Sequence, residues 1–120
     1  LFVEDDLFLV HAYRDILEEN QSINVWIAQD GDEALRYLEK KPPDLVLLDL
    51  MLPGKSGFEV LHAIRKHPVW KDVRVIILSN LGQPQDLARA TELGVVDYIV
   101  KANTRISDVA SRIEKILSAE

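Results

Sequence analysis

The chain contains no cysteine, so it can form neither a disulfide framework nor a thiolate metal site. It also lacks a basic surplus, because 14 Lys and Arg stand against 20 Asp and Glu, a formal net charge of −6. A protein that binds nucleic acid through its phosphates needs a basic surface, and this charge balance argues against that function. The absence of cysteine fits a reducing compartment, and we expect a cytoplasmic location.

Long apolar stretches are missing as well. The longest runs, such as residues 45–48, are far shorter than the roughly 20 residues that cross a membrane. The chain opens with three apolar residues and three acids, which is not the pattern of a signal peptide. It also begins without a methionine, so we expect a single domain over residues 1–120 that belongs to a longer natural chain.

Short apolar runs alternate with segments of helical periodicity. Runs rich in Leu, Ile and Val predict five strands, at residues 1–3, 24–28, 44–48, 73–78 and 95–100. The segments between them predict five helices, at residues 7–20, 31–38, about 58–67, about 87–93 and about 106–117. We predict Asp30 as a helix N-cap, Gly94 as a helix end, and Asn103 or Thr104 as the cap of the last helix. This alternation predicts an α/β domain with a parallel sheet that is covered on both faces.

The residues that follow the predicted strands are polar. They are Glu4, Asp5 and Asp6 after the first, Asp49 after the third, Ser79 and Asn80 after the fourth, and Lys101 after the fifth. In parallel sheets, ligands bind beyond these carboxyl ends. Clustered carboxylates repel one another, and a divalent cation with oxygen ligands, such as Mg²⁺, relieves the repulsion. Asp49 is then a candidate nucleophile for a phosphoryl group whose charge a metal, a lysine and a hydroxyl would balance.

Each of these residues also has an ordinary explanation. We expect Asp6 to cap the first helix. Taken singly, Asp49 could be a loop acid, Ser79 a hydrogen-bonded strand-end hydroxyl and Lys101 a solvated lysine. Their joint placement at four strand ends favours a functional site.

The same residues resemble the receiver domain of two-component response regulators. The likeness covers essentially the whole chain and rests on four segments in order: VEDD at 3–6, LVLLDLMLPGKSG at 45–57, Ser79 after an apolar strand, and DYIVK at 97–101. It implies a flavodoxin-like, doubly wound sheet of five parallel strands in the order 2-1-3-4-5, with five helices in a three-layer αβα arrangement.

The resemblance implies a phosphoacceptor switch in a phosphorelay. Asp49 would accept the phosphoryl group from a phosphohistidine on a sensor histidine kinase or a histidine phosphotransfer protein. Asp5 would bind Mg²⁺ directly, Glu4 through a water molecule, and Met51 through its backbone carbonyl. Beyond phosphotransfer and its own dephosphorylation, the domain would not be an enzyme.

The resemblance also implies roles for four residues on the following strands. Ser79 would be the switch hydroxyl, Lys101 would pair with a phosphoryl oxygen, and Tyr98 would be the aromatic switch whose ring moves inward. Tyr98 is alternatively a half-buried edge aromatic. Asn80 stands where a smaller residue is usual, and its amide would crowd or bond the phosphoryl pocket. The family also implies a phosphorylation-dependent homodimer through the fourth helix, fifth strand and fifth helix.

Two departures from the family pattern carry expectations of their own. Ala102 follows Lys101 where the family usually has a proline after a cis peptide bond, so we expect either a trans bond with a rebuilt loop or a strained cis bond. Met51 and Leu81, two residues beyond the acceptor and the switch hydroxyl, are apolar and cannot orient a hydrolytic water. We therefore expect a long-lived phosphoryl group.

Three other functions fit parts of the pattern. A Mg²⁺-dependent phosphatase with an aspartate nucleophile would need a second acid at the position of Met51. A flavodoxin-like FMN carrier would need a Ser- or Gly-rich phosphate loop where Glu4, Asp5 and Asp6 stand. A degenerate receiver that serves only as a protein-binding module would lack pocket residues that are present here.

Overall fold

Five β-strands alternate with five α-helices along the chain, as the apolar pattern predicts. A computed structural model describes residues 1–118. The elements are β1 (Phe2–Val3), α1 (Leu7–Leu17), β2 (Ile27–Ala28), α2 (Gly31–Lys40), β3 (Val46–Leu48), α3 (Gly57–Lys66), β4 (Val75–Ser79), α4 (Pro84–Glu92), β5 (Asp97–Val100), a 3-10 helix (Lys101–Asn103) and α5 (Ile106–Ser118). None of the helices within residues 1–118 is long and apolar enough to cross a membrane.

The strands form one parallel sheet in the order β2-β1-β3-β4-β5, which confirms the predicted topology. Its register determines which strand ends are neighbours. Val3 pairs with Leu48, so the residues that follow them, Glu4 and Asp49, come out side by side. Ser79 pairs with Val100, the last residue before Lys101. The sheet therefore brings the predicted polar residues to one edge.

Helices cover both faces of the sheet and give it two apolar cores. Every residue of β3 and β4 is buried, as expected for central strands of a parallel sheet. One core contains Ala34, Leu38, Leu61, Ile64 and Ala90 from α2, α3 and α4. The other contains Val10, Tyr13, Leu17, Val109 and Ile113 from α1 and α5. Successive strand residues point to opposite faces of the sheet, so the strands contribute side chains to both cores. The domain therefore has three layers, with the sheet between two layers of helices.

Aspartate caps fix the starts of α1 and α2. The Asp6 side chain accepts hydrogen bonds from the backbone N–H of Phe8 (3.1 Å) and of Leu9 (3.3 Å). The Asp30 side chain accepts one from the N–H of Glu33 at 2.8 Å. Both predicted caps are confirmed, and each satisfies N–H groups that have no partner within the helix.

Element ends differ from the predictions at several places. α1 ends at Leu17 rather than at residue 20, and β2 begins at Ile27 rather than at residue 24. The predicted cap of α5 is wrong, because Asn103 ends the 3-10 helix and Thr104 follows it, two residues before α5 begins at Ile106. Gly94 follows the last turn of α4 with φ +70°, a conformation that suits the predicted helix end.

Candidate functional site

Three carboxylates meet where β1 and β3 end. One oxygen each of Glu4, Asp5 and Asp49 lies within 4.8 Å of the other two. Glu4 and Asp49 are 1% and 4% exposed, whereas Asp5 is open to solvent. A set of oxygen donors with one solvent-facing member fits Mg²⁺, which prefers oxygen ligands and keeps several of its waters.

A lysine ammonium group neutralises part of this negative charge. Lys101 Nζ donates to Asp49 Oδ2 at 2.8 Å and also to Glu4 Oε1. Burial alone would lower the pKa of Lys101, but the hydrogen bonds to Asp49 and Glu4 outweigh it and raise that pKa above its ordinary value. Lys101 therefore stays charged in the pocket and offsets part of the negative charge of two buried carboxylates.

Both oxygens of Glu4 have partners. Oε1 accepts from Lys101, and Oε2 accepts from the backbone N–H groups of Asp5 (3.0 Å) and Asp6 (3.1 Å). Burial raises the pKa of Glu4 from 4.5 to about 6, although the Lys101 hydrogen bond acts in the opposite direction. The predicted placement of Glu4 in the acidic cluster is confirmed, but its contact with Lys101 was not predicted from sequence.

Two equivalent turns follow the strands that carry the acid and the hydroxyl. The N–H of Met51 donates to Asp49 Oδ1 at 3.0 Å, and the N–H of Leu81 donates to Ser79 Oγ at 3.4 Å. Ser79 is fully buried, Leu81 is half-buried, and Met51 is 57% exposed. The backbone of Met51 is thus hydrogen-bonded to the side chain of Asp49, and that of Leu81 to the side chain of Ser79.

Tyr98 is connected to the same loop after β4. Its hydroxyl donates to the backbone carbonyl of Leu81 at 2.6 Å, and its ring is half-buried. Burial first, and then the charges of Asp86 and Asp49, raise the pKa of Tyr98. Leu81 therefore receives a hydrogen bond from Tyr98 and donates one to Ser79. Asn80, between the two, is exposed.

A close approach of α3 to the end of β3 completes the site, and sequence reasoning missed it. A Cβ atom at Gly57 would lie 2.2 Å from the backbone oxygen of Asp49 and 2.5 Å from Leu50 Cα. Only glycine fits there, since real Cβ atoms do not approach other atoms so closely.

The peptide bond between Lys101 and Ala102 is trans, so of the two expected alternatives, a trans bond and a strained cis bond, the trans bond is correct.

The fold and the acidic edge together define a receiver-type signalling domain, and comparison with known proteins agrees. The family model of the response regulator receiver domain matches residues 1–114. The chain belongs to this family. Response regulators, which contain such domains, interact with histidine kinases and output domains.

Individual relatives are similar over almost the whole chain. The phosphate regulon transcriptional regulatory protein PhoB of Klebsiella pneumoniae is 33% identical over 117 residues, which cover 98% of this chain and 50% of PhoB. The chain therefore spans about half the length of this curated relative. The BeF3-activated N-terminal receiver domain of RstA from the same organism has a TM-score of 0.84 at 30% identity, covering 98% of this chain and 97% of that one. The Mn²⁺-bound form of the response regulator Rcp1 has a TM-score of 0.83 at 28% identity, covering 95% and 89%.

Proposed function

We propose that this domain is a phosphoacceptor switch in which Asp49 takes a phosphoryl group from a phosphohistidine of a histidine kinase or a histidine phosphotransfer protein. The observation that carries the proposal is the pairing of a buried Asp49 with Lys101 at 2.8 Å, beside the carboxylates of Glu4 and Asp5. A merely structural ion pair would not need a second and a third acid beside it.

The transfer uses atoms that already lie in the pocket. A carboxylate oxygen of Asp49 attacks phosphorus while the bond from phosphorus to the histidine nitrogen breaks. Lys101 balances the charge of the phosphoryl oxygens. Mg²⁺, when bound, would supply further positive charge there, through Asp5 and Asp49 as direct ligands, Glu4 through water and the carbonyl of Met51. The structurally similar response regulator Rcp1 has been solved in a Mn²⁺-bound form, and this supports binding of a divalent cation by the present domain.

The hydrogen bonds at Leu81 provide a route from the phosphoryl group to the surface. Ser79 would turn its hydroxyl towards a phosphoryl oxygen and release the N–H of Leu81. The loop after β4 could then shift, and with it the Leu81 carbonyl that binds the Tyr98 hydroxyl. Tyr98 would change position, so that a local change in charge alters the outer face near β5. Asn80 lies in the moving loop and would contact the pocket from its solvent side.

Intact mass spectrometry tests the acceptor. After incubation with Mg²⁺ and a small acyl phosphate, we expect the wild-type protein to gain one phosphoryl group and Asp49→Asn to gain none. Asp30→Asn is the matched control, because this aspartate caps α2 and should leave the phosphoryl gain intact. A wild-type protein that stays unmodified and binds neither Mg²⁺ nor beryllofluoride would contradict the proposal.

A further inference from the structure

The chain has a single oxidisable sulfur, and it lies beside the proposed acceptor. There is no cysteine and only one methionine, Met51, two residues after Asp49. Met51 is 57% exposed, whereas Asp49 is 4% exposed. Solvent-borne oxidants can therefore reach the thioether directly, and no thiol in the domain competes for them.

The peptide group that joins Leu50 to Met51 is held at both its N–H and its carbonyl. Its N–H donates to Asp49 Oδ1 at 3.0 Å, and the carbonyl of the preceding Leu50 accepts from the N–H of Gly57 at 3.1 Å. Leu50 itself is buried. A chemical change at the exposed side chain of Met51 would consequently alter the rim of the pocket without disturbing the core.

We propose that oxidation of Met51 by a peroxide shortens the lifetime of the phosphoryl group on Asp49, an inference that rests on the proposed function. In the oxidation, the sulfur attacks one peroxide oxygen, an S–O bond forms and the O–O bond breaks. The thioether becomes a sulfoxide, and hydrogen peroxide is reduced to water. The modification adds one oxygen atom to the protein.

The sulfoxide of Met51 can accept a hydrogen bond from a water molecule much more readily than the thioether can. A thioether sulfur is a weak hydrogen-bond acceptor, whereas a sulfoxide oxygen is polar and accepts readily. In hydrolysis, a water oxygen attacks phosphorus, the bond from phosphorus to the Asp49 oxygen breaks to leave the Asp49 carboxylate and inorganic phosphate, and a proton of the attacking water passes to the solvent. An acceptor at Met51 can orient that water, while Leu81, whose N–H donates to Ser79, stays apolar. One added hydrogen bond of ordinary strength corresponds to about a fivefold faster loss.

The test compares oxidised and untreated protein after phosphorylation by a small acyl phosphate. Hydrogen peroxide should add one oxygen to the wild-type protein and none to Met51→Leu, as read by intact mass. After the donor is removed, the oxidised wild type should lose its phosphoryl group about fivefold faster than the untreated protein. Met51→Gln, which places an amide oxygen at the same site, should lose its phosphoryl group at the faster rate without peroxide. A methionine sulfoxide reductase should restore the slow rate to the oxidised wild type.

The outcomes separate this inference from the proposed function. An untreated protein that takes up no phosphoryl group contradicts the function itself. A protein that is phosphorylated and oxidised at Met51, yet loses phosphate at the untreated rate, overturns the inference alone. Equal acceleration of Met51→Leu by peroxide also overturns it, because the effect would then arise at another residue. The thermal midpoint of the oxidised protein should match that of the untreated one, which excludes partial unfolding as the cause of a faster rate.

Discussion

At the scale of the residue, Glu4 has hydrogen-bond partners that the sequence does not reveal. Its carboxylate accepts two backbone N–H groups with one oxygen and Lys101 with the other. The sequence predicts where this residue lies, because the strand register brings it beside Asp49. Its contact with Lys101 joins two residues that are 97 positions apart in the sequence. No local sequence pattern predicts such a contact.

Glu4 should titrate near pH 6 in the metal-free protein. Burial raises its folded-state pKa above the ordinary value of 4.5, so the folded protein binds this proton more tightly than the unfolded chain does. The group's stabilising contribution is therefore fully present below about pH 4.5 and is lost as the pH rises through about 6, a change of ~2 kcal/mol. NMR of the side-chain carboxyl carbon gives the midpoint, and unfolding of wild type against Glu4→Gln across this range gives the free energy.

Lys101→Met provides the control for that titration. The Lys101 hydrogen bond lowers the pKa of Glu4, so its removal should move the midpoint further up. A midpoint at or below 4.5 in the wild-type protein would contradict the explanation by burial. A downward shift in Lys101→Met would contradict the lowering of the Glu4 pKa by the Lys101 hydrogen bond.

At the scale of the element, the first residue of α3 determines how closely that helix approaches β3. Gly57→Ala should destabilise the domain by roughly 2–3 kcal/mol, because the new methyl group would lie 2.2 Å from the Asp49 carbonyl oxygen and must push the helix away. The better helix propensity of alanine, at most about 1 kcal/mol, offsets no more than half of this cost. Denaturant unfolding measures the change.

Gly82→Ala is the matched substitution. A Cβ atom at Gly82 would meet only the side chain of Val100, at 3.3 Å, and a small shift can relieve that contact. We expect its effect to stay below that of Gly57→Ala. Equal losses would mean that the close approach of α3 to β3 does not determine stability.

Sequence patterns predicted the elements better than their ends. Asp30 was predicted as a cap because the signal is local, an aspartate three residues before a glutamate. β2 came out shorter than its apolar run, since its ladder extends only along Phe2 and Val3, the two residues of β1. The predicted start of the last helix at residue 106 agrees with α5, but its cap was placed too early, because Lys101–Asn103 first form a 3-10 helix.

At the scale of the whole molecule, the charge of −6 has a local component and an implication for output. Glu4, Asp5 and Asp49 concentrate three acids in one pocket, and Lys101 offsets one of them. A surface with this net charge is poorly suited to bind DNA. Any DNA-directed output would need a basic surface, which the charge balance of these 120 residues does not favour.

A partner that delivers a phosphoryl group must cover the pocket, and an exposed aromatic stands at its border. Phe8 is 91% exposed in the first turn of α1, three residues after Asp5, and Leu7 beside it is 46% exposed. An aromatic side chain that becomes buried in an interface commonly contributes more than about 1 kcal/mol to binding. We therefore expect Phe8→Ala to slow transfer from a protein donor by about tenfold and to leave transfer from a small acyl phosphate unchanged.

Val69→Ala is the control, because Val69 is 68% exposed in the loop between α3 and β4, at the opposite edge of the sheet. This substitution should change neither reaction. The measurement is the initial rate of phosphoryl gain with each donor, using a kinase or phosphotransfer protein that modifies the wild-type domain. If Phe8→Ala also slowed transfer from the small donor, Phe8 would act on the chemistry of the pocket. If both variants slowed transfer from the protein donor equally, the partner would not approach over α1.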